Sequence, residues 1–149
     1  MSRYSTFSAK PNHFSLKTCI LSDYFPYLII APRITSSFAN VDWEHMSARK
    51  IYNLGRALTG LYPLFTTWNS TPIKLFDVEL CEEVSNVTAL GMPGFVAYDR
   101  SDLLIKVRCA DGQWISVKSV AVHNKKLISA RDFNNGYVKK QQMEHRVFR

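Results

Sequence analysis

Apolar residues recur at two different spacings along this chain, and the change of spacing divides it. Ile51, Leu54 and Leu58 fall three and four residues apart behind Ser47. A serine there can cap the open N–H groups of a helix start, so residues 48–58 are predicted to form an amphipathic helix. Gly60 and Pro63 end it. Beyond Pro63 the period shortens towards two. Residues 64–68, 73–80, 94–98, 103–109 and 114–123 are rich in β-branched and aromatic side chains and read as strands. The breaks between them fall at 69–72, 92–94, 99–102 and 110–112, each with Asn, Asp, Pro or Gly.

The last run alternates most clearly. Trp114, Ser116, Lys118, Val120 and Val122 are predicted to share one face, and Ile115, Val117, Ser119 and Ala121 the other. Asp111-Gly112 just before it is a hairpin signal. Strands without intervening crossover helices do not make a parallel sheet, and closing the sheet hides its edges, so the expected fold is mainly β, a small antiparallel barrel with one N-terminal amphipathic helix. Ser129, Arg131, Asp132 and Phe133, ending at Gly136, read as a last short helical turn. Trp43 and Trp68 are assigned to the core, whereas Trp114 fits core or surface.

A chain of 149 residues suits one domain. Its apolar stretches, such as 28–31, fall far short of the roughly 20 residues that cross a bilayer, so no membrane insertion is expected. Cys19, Cys81 and Cys109 are odd in number and widely spaced, which argues for reduced thiols. The histidines, among them His45, His123 and His145, have no ligand spacing, so no metal is expected. Residues 1–22 contain Arg3, Lys10 and Lys17 and no acid, a composition compatible with a transit peptide, although Pro11 and Pro26 interrupt any long helix.

The charge is uneven. Residues 118–149 hold eight Lys and Arg against two acids, a net +6, while residues 1–117 hold eleven against ten, a net +1. A local excess of this kind suits a polyanion such as nucleic acid, and a solvated tail would also account for it.

Read in order, Ala31-Pro32-Arg33-Ile34, Asp42-Trp43, Ser47-Ala48, Arg56-Ala57, Pro63, Pro93-Gly94, Val107-Arg108-Cys109 with Asp111-Gly112, and Ala130-Arg131-Asp132-Phe133 through Asn135-Gly136 form a co-linear set. Over about residues 31–137 the chain resembles the C-terminal domain of methionyl-tRNA formyltransferase. The mitochondrial form is most similar at 117–120 and 132–137. The resemblance implies an OB-like Greek-key barrel over 43–137, preceded by a linker at 31–42 and a leader at 1–30 outside the family pattern, and followed by a basic tail at 138–149. For the parent enzyme it implies transfer of a formyl group from 10-formyltetrahydrofolate to the methionine amine of initiator methionyl-tRNA in the mitochondrial matrix. The resemblance also implies that the barrel is the tRNA-binding part of that enzyme.

The catalytic Rossmann-type domain has no counterpart among these residues. Asn12-His13 lacks the family's spacing and sheet context, so no catalytic residue, no cofactor site and no formyl transfer are expected of this chain by itself. The alternatives are the barrel of a formyltransferase acting on a sugar nucleotide or on folate, and a truncated isoform without function. A monomer is expected.

Phosphate binding needs cations on a rigid frame. The candidates are Arg33 in the linker, Arg56 on the helix, Lys118 at the barrel rim, Lys125 and Lys126 in a turn, Arg131, and Lys139 and Lys140 on a flexible arm. Tyr137 is the candidate for base stacking. Glu79, Glu82 and Glu83 form an acidic turn expected to face away from RNA.

Overall fold

The computed structural model describes residues 33–81 and 91–149. The expected leader, Cys19, and the Glu82 and Glu83 part of the acidic turn lie outside the described residues. Helix α1 (Ala48–Ala57) starts where Ser47 predicts it. The Ser47 hydroxyl accepts from the Lys50 amide at 3.3 Å, and a carboxylate oxygen of Asp111 accepts from the Ala48 amide at 3.1 Å. Two of the N–H groups that a helix start leaves open are thereby satisfied, one of them by the hairpin turn 63 residues downstream. Ala48 and Ile51 on the inner face are fully buried.

Six strands follow: β1 (Leu64–Trp68), β2 (Thr71–Cys81), β3 (Val96–Asp99), β4 (Leu104–Arg108), β5 (Trp114–Val122) and β6 (Leu127–Ser129). All neighbours are antiparallel, in the order β1-β2-β5-β4-β3, with β6 also on β5. β3, β4 and β5 form a meander and β2 lies back against β5, which is a Greek key. One edge of β5 takes β2 along its length. The other takes β4 up to the pair Ile105 and Val117, then β6 from the pair Ser119 and Ser129.

The predicted alternation of β5 fails at one place. Ile115 and Val117 point into the core, but so do Val120 and Val122, which shifts the phase by one residue. The partner strand shifts with it: Ile73 and Leu75 face inward, then Val78 and Leu80. Between them the pairing skips Asp77 and Lys118. Asp77 adopts a left-handed backbone (φ 53°), and its Oδ2 accepts from Ser119 Oγ at 3.0 Å. Aspartate is one of the few residues whose short polar side chain makes that conformation tolerable. Both strands bend together there, and Lys118, expected alongside Val120 and Val122, is instead exposed at the bend.

Residues 138–149 are also not the flexible basic arm that the sequence suggests. Helix α2 (Ala130–Phe133) runs on through Gly136 as a wider helical turn, Asn134–Val138. The chain then returns to the sheet. Arg149 and Thr67 exchange N–H···O bonds of 2.8 and 3.0 Å, the Phe148 amide donates to the Gly94 carbonyl at 2.9 Å, and the Val96 amide donates to the Arg146 carbonyl at 2.8 Å. β1 and β3 are the two edges of the sheet, and residues 146–149 pair alongside both. The sheet is thereby closed into a barrel.

Rings fill the seam. Phe148 is 1% exposed, stacked on Trp43 with ring centroids 5.8 Å apart and edge-on to Trp68 at 5.5 Å. Phe133 also meets Trp68 edge-on at 5.5 Å and lies 6.2 Å from Phe148, so the three rings form one cluster. Trp43 and Trp68 are thus core residues, as read. Trp114, which was open, is buried edge-on against Phe95 at 6.5 Å.

Candidate nucleic-acid interface

Between β5 and β6 the chain turns through Asn124 (φ 59°), with the Lys125 amide donating to the Val122 carbonyl at 2.9 Å. The turn holds Lys125 and Lys126 in solvent. The wider helical turn after α2 brings Tyr137 up to it: Lys125 Nζ donates to Tyr137 Oη at 2.8 Å and lies 5.3 Å from the ring centre. Tyr137 in turn stacks on the fully buried Phe133, 5.1 Å between centroids and 18° from parallel. A lysine on a loop is therefore tied through one ring to the core. Beside it opens a cleft of about 220 Å³ lined by Trp68, Asn69, Thr71, Tyr137, Lys140 and Gln141 among others. Lys139 Nζ turns back to Asn135 Oδ1 at 2.8 Å.

Of the residues singled out from the sequence, Lys125, Lys126, Tyr137, Lys139 and Lys140 share this end of the barrel. Arg131 is exposed on α2 and Lys118 at the bend of β5. Arg56 does not join them. Its guanidinium lies 5.5 Å from the Tyr52 ring on α1, and α1 leads into β1 at Leu64, the end of that strand away from the turn at Asn69 and Ser70. Arg33 is exposed.

Several cations were not anticipated. Lys74 lies 5.7 Å from the Phe65 ring, and Arg49 and Lys50 are exposed in the first turn of α1. Arg146 is structural: its Nε donates to the Gln141 carbonyl at 3.1 Å. Lys106 is structural as well. Its side chain is 5% exposed, with Nζ bonded to Asp99 Oδ2 at 2.6 Å and lying 3.4 Å from Asp102 Oδ2. The hydrogen bond from Lys106 holds the Asp99 carboxyl below its usual range, and the same bond raises the Lys106 ammonium above its own.

The acids gather elsewhere. A groove of about 830 Å³ beside the seam is lined by Asp42, Glu44 and Glu144 together with His145 and Arg149. Partial desolvation pushes the Asp42 carboxyl up, but the His45 side chain at 2.9 Å and the Glu44 and His45 amides outweigh it and leave it low. Among the described residues no three His, Cys, Asp or Glu side chains converge as a metal site, and no helix is long and apolar enough to cross a membrane.

The family described as formyl transferase, C-terminal domain, matches residues 33–138. This chain belongs to that family. It is 36% identical over 113 residues to the mitochondrial methionyl-tRNA formyltransferase of Mus musculus and 37% identical over 115 residues to that of Homo sapiens, covering 72% of this chain in each case. A bacterial relative, the methionyl-tRNA formyltransferase of Caldicellulosiruptor saccharolyticus, is 34% identical over 112 residues. The chain spans only 28% of the two mammalian relatives and 33% of the bacterial one. In structure it is similar to HypX from Aquifex aeolicus, including the form in complex with tetrahydrofolic acid, with a TM-score of 0.59 at 16% identity over 73% of this chain and 18% of that one. At that identity the likeness is one of fold.

Proposed function

We propose that this barrel binds the backbone of initiator methionyl-tRNA, the role implied for the C-terminal domain of a mitochondrial methionyl-tRNA formyltransferase, and that it does so in the mitochondrial matrix. The observation that carries the reading is Lys125 held on Tyr137 beside a cleft that Tyr137 and Lys140 line. Two cations and a ring arrive there from a strand turn and a helical turn, and the ring is anchored on Phe133. Lysine heads on a fixed frame neutralise phosphates, while a tyrosine beside them offers a surface to an unpaired base.

We further propose that the chain transfers no formyl group by itself. 10-Formyltetrahydrofolate carries an anionic glutamate tail, whereas the groove beside the seam presents Asp42, Glu44 and Glu144 against Arg149. That lining does not fit the cofactor.

The test is the affinity of the purified chain for an initiator tRNA transcript across a KCl series. Lys125→Gln with Lys140→Gln is expected to weaken binding and to lower the slope of log affinity against log salt by about 1 to 2, each lost phosphate contact being worth roughly 0.7 to 0.9. A wild-type chain without measurable affinity, or a slope that the double variant leaves unchanged, overturns the assignment.

A further inference from the structure

Helix α1 has three basic residues and no acid in ten positions, Ala-Arg-Lys-Ile-Tyr-Asn-Leu-Gly-Arg-Ala. Arg49, Asn53 and Arg56 follow one another at spacings of four and three along its solvent side, with Tyr52 in the same stripe and Lys50 next to it. Two of the three cations stand where helix electrostatics is least favourable. The open N–H groups of a helix start carry partial positive charge, so its first turn favours acids. Here that turn contains Arg49 and Lys50 and no acidic side chain. The capping groups do not explain them, because Ser47 and Asp111 already accept from the Lys50 and Ala48 amides.

The third cation is held in place. The Arg56 guanidinium lies 5.5 Å from the Tyr52 ring centre one turn back, which orients a planar fork suited to a phosphate. The helix beneath is fixed by Ile51 and Ala48, both fully buried in the core. A rigid row of guanidinium and ammonium groups, retained against the helix dipole, complements a polyanion.

We infer that the solvent face of α1 is a second RNA-backbone contact, in which Arg49, Lys50 and Arg56 neutralise phosphates. The inference rests on reading the barrel as RNA-binding, and it extends the footprint. α1 leads into β1 at Leu64, while the Lys125 cleft adjoins Trp68 and Asn69 at the other end of that strand. Five residues of β1, at about 3.4 Å each, separate the two surfaces. An RNA that meets both surfaces reaches across at least the length of β1.

The experiment uses the full chain and an initiator tRNA transcript in a KCl series. It compares wild type, the triple variant Arg49→Gln, Lys50→Gln and Arg56→Gln, and the cleft variant Lys125→Gln with Lys140→Gln. The triple variant is expected to lower the salt slope by about 2, from three contacts at roughly 0.7 to 0.9 each. Its thermal midpoint should hold or rise, since two cations unfavourable to the helix start are gone. Arg49→Lys with Arg56→Lys keeps the charge and should keep the slope. If that variant loses as much slope as the triple one, the effect is on folding and the inference falls. If wild type binds and only the cleft variant weakens binding, this inference fails and the cleft reading stands; if wild type does not bind, both fail.

Discussion

The indole N–H of Trp43 donates to Thr66 Oγ1 at 2.8 Å across 23 residues, and the same hydroxyl donates to the Arg149 main-chain oxygen at 3.0 Å. One buried hydroxyl therefore ties the entry segment, the first strand and the closing segment of the barrel. Thr66→Val keeps the shape and removes both bonds, leaving the Trp43 N–H buried without an acceptor. It should cost about 1 to 3 kcal/mol. Urea unfolding should show a lower midpoint with an unchanged m value, and Thr66→Ser should recover most of the loss.

Phe148 fills the seam against Trp43, Trp68 and Phe133. Truncating it to alanine should cost about 3 to 5 kcal/mol, the range for a fully buried phenylalanine. A thermal midpoint lowered by only a degree or two would mean that residues 146–149 are not needed to close the sheet.

The Asp99 and Lys106 pair makes stability depend on pH in two directions. Asp99 is held low in the fold, so its contribution is present above its unfolded pKa and is lost as pH falls through the folded value. Lys106 is held high, so its contribution is present below its unfolded pKa and is lost as pH rises through the folded value. Asp99→Asn removes the closer carboxylate and leaves Lys106 with Asp102 Oδ2 at 3.4 Å, so it should cost about 1.5 to 3 kcal/mol near neutrality. The acid limb of the stability profile should flatten in the variant, as measured by denaturant titration from about pH 2 to about pH 6, which brackets the usual carboxylate pKa values.

Burial, with Asp111 adding to it, pushes the Cys109 thiol up to about 12. It should thus resist thiol reagents at mildly alkaline pH and react only when the fold opens. In a chain with Cys19→Ser and Cys81→Ser, the labelling rate should rise with denaturant in step with global unfolding. Rapid labelling of the native protein would contradict the burial of Cys109.

How much of this was legible depended on whether a segment announces itself locally. Ser47, the spacing of Ile51 and Leu54, and Asp111-Gly112 carry their structural consequences in their own chemistry, and the helix and the β4–β5 hairpin stand where those residues put them. The phase shift at Asp77 and Lys118 does not show in either strand read alone, because it is a property of the pair. β6 has only three residues beside two lysines, too few to reveal an alternation. Val147-Phe148 is one apolar pair among charged neighbours, and its burial depends on partners about 80 residues away. At the candidate interface the lysines were visible as charge. The contact of Lys125 with Tyr137, and the separation of Arg56 from both, required the fold. Arg49 and Lys50 carry a local signal of their own, two cations in the first turn after an N-cap.

The seam also sets the order in which this barrel can be made. Thr67 bonds to Arg149, 82 positions away, whereas the β1–β2 and β4–β5 hairpins close over a few residues. Short-range hairpins form first and a contact of that span forms last, since the entropy of closing the loop must be overcome before the contact stabilises anything. Until residues 146–149 dock, β1 and β3 remain open edges with unpaired N–H and C=O groups, the surface through which incompletely folded sheets associate with one another. The most vulnerable species on the way to the barrel is therefore the one whose sheet has assembled and whose seam has not yet closed.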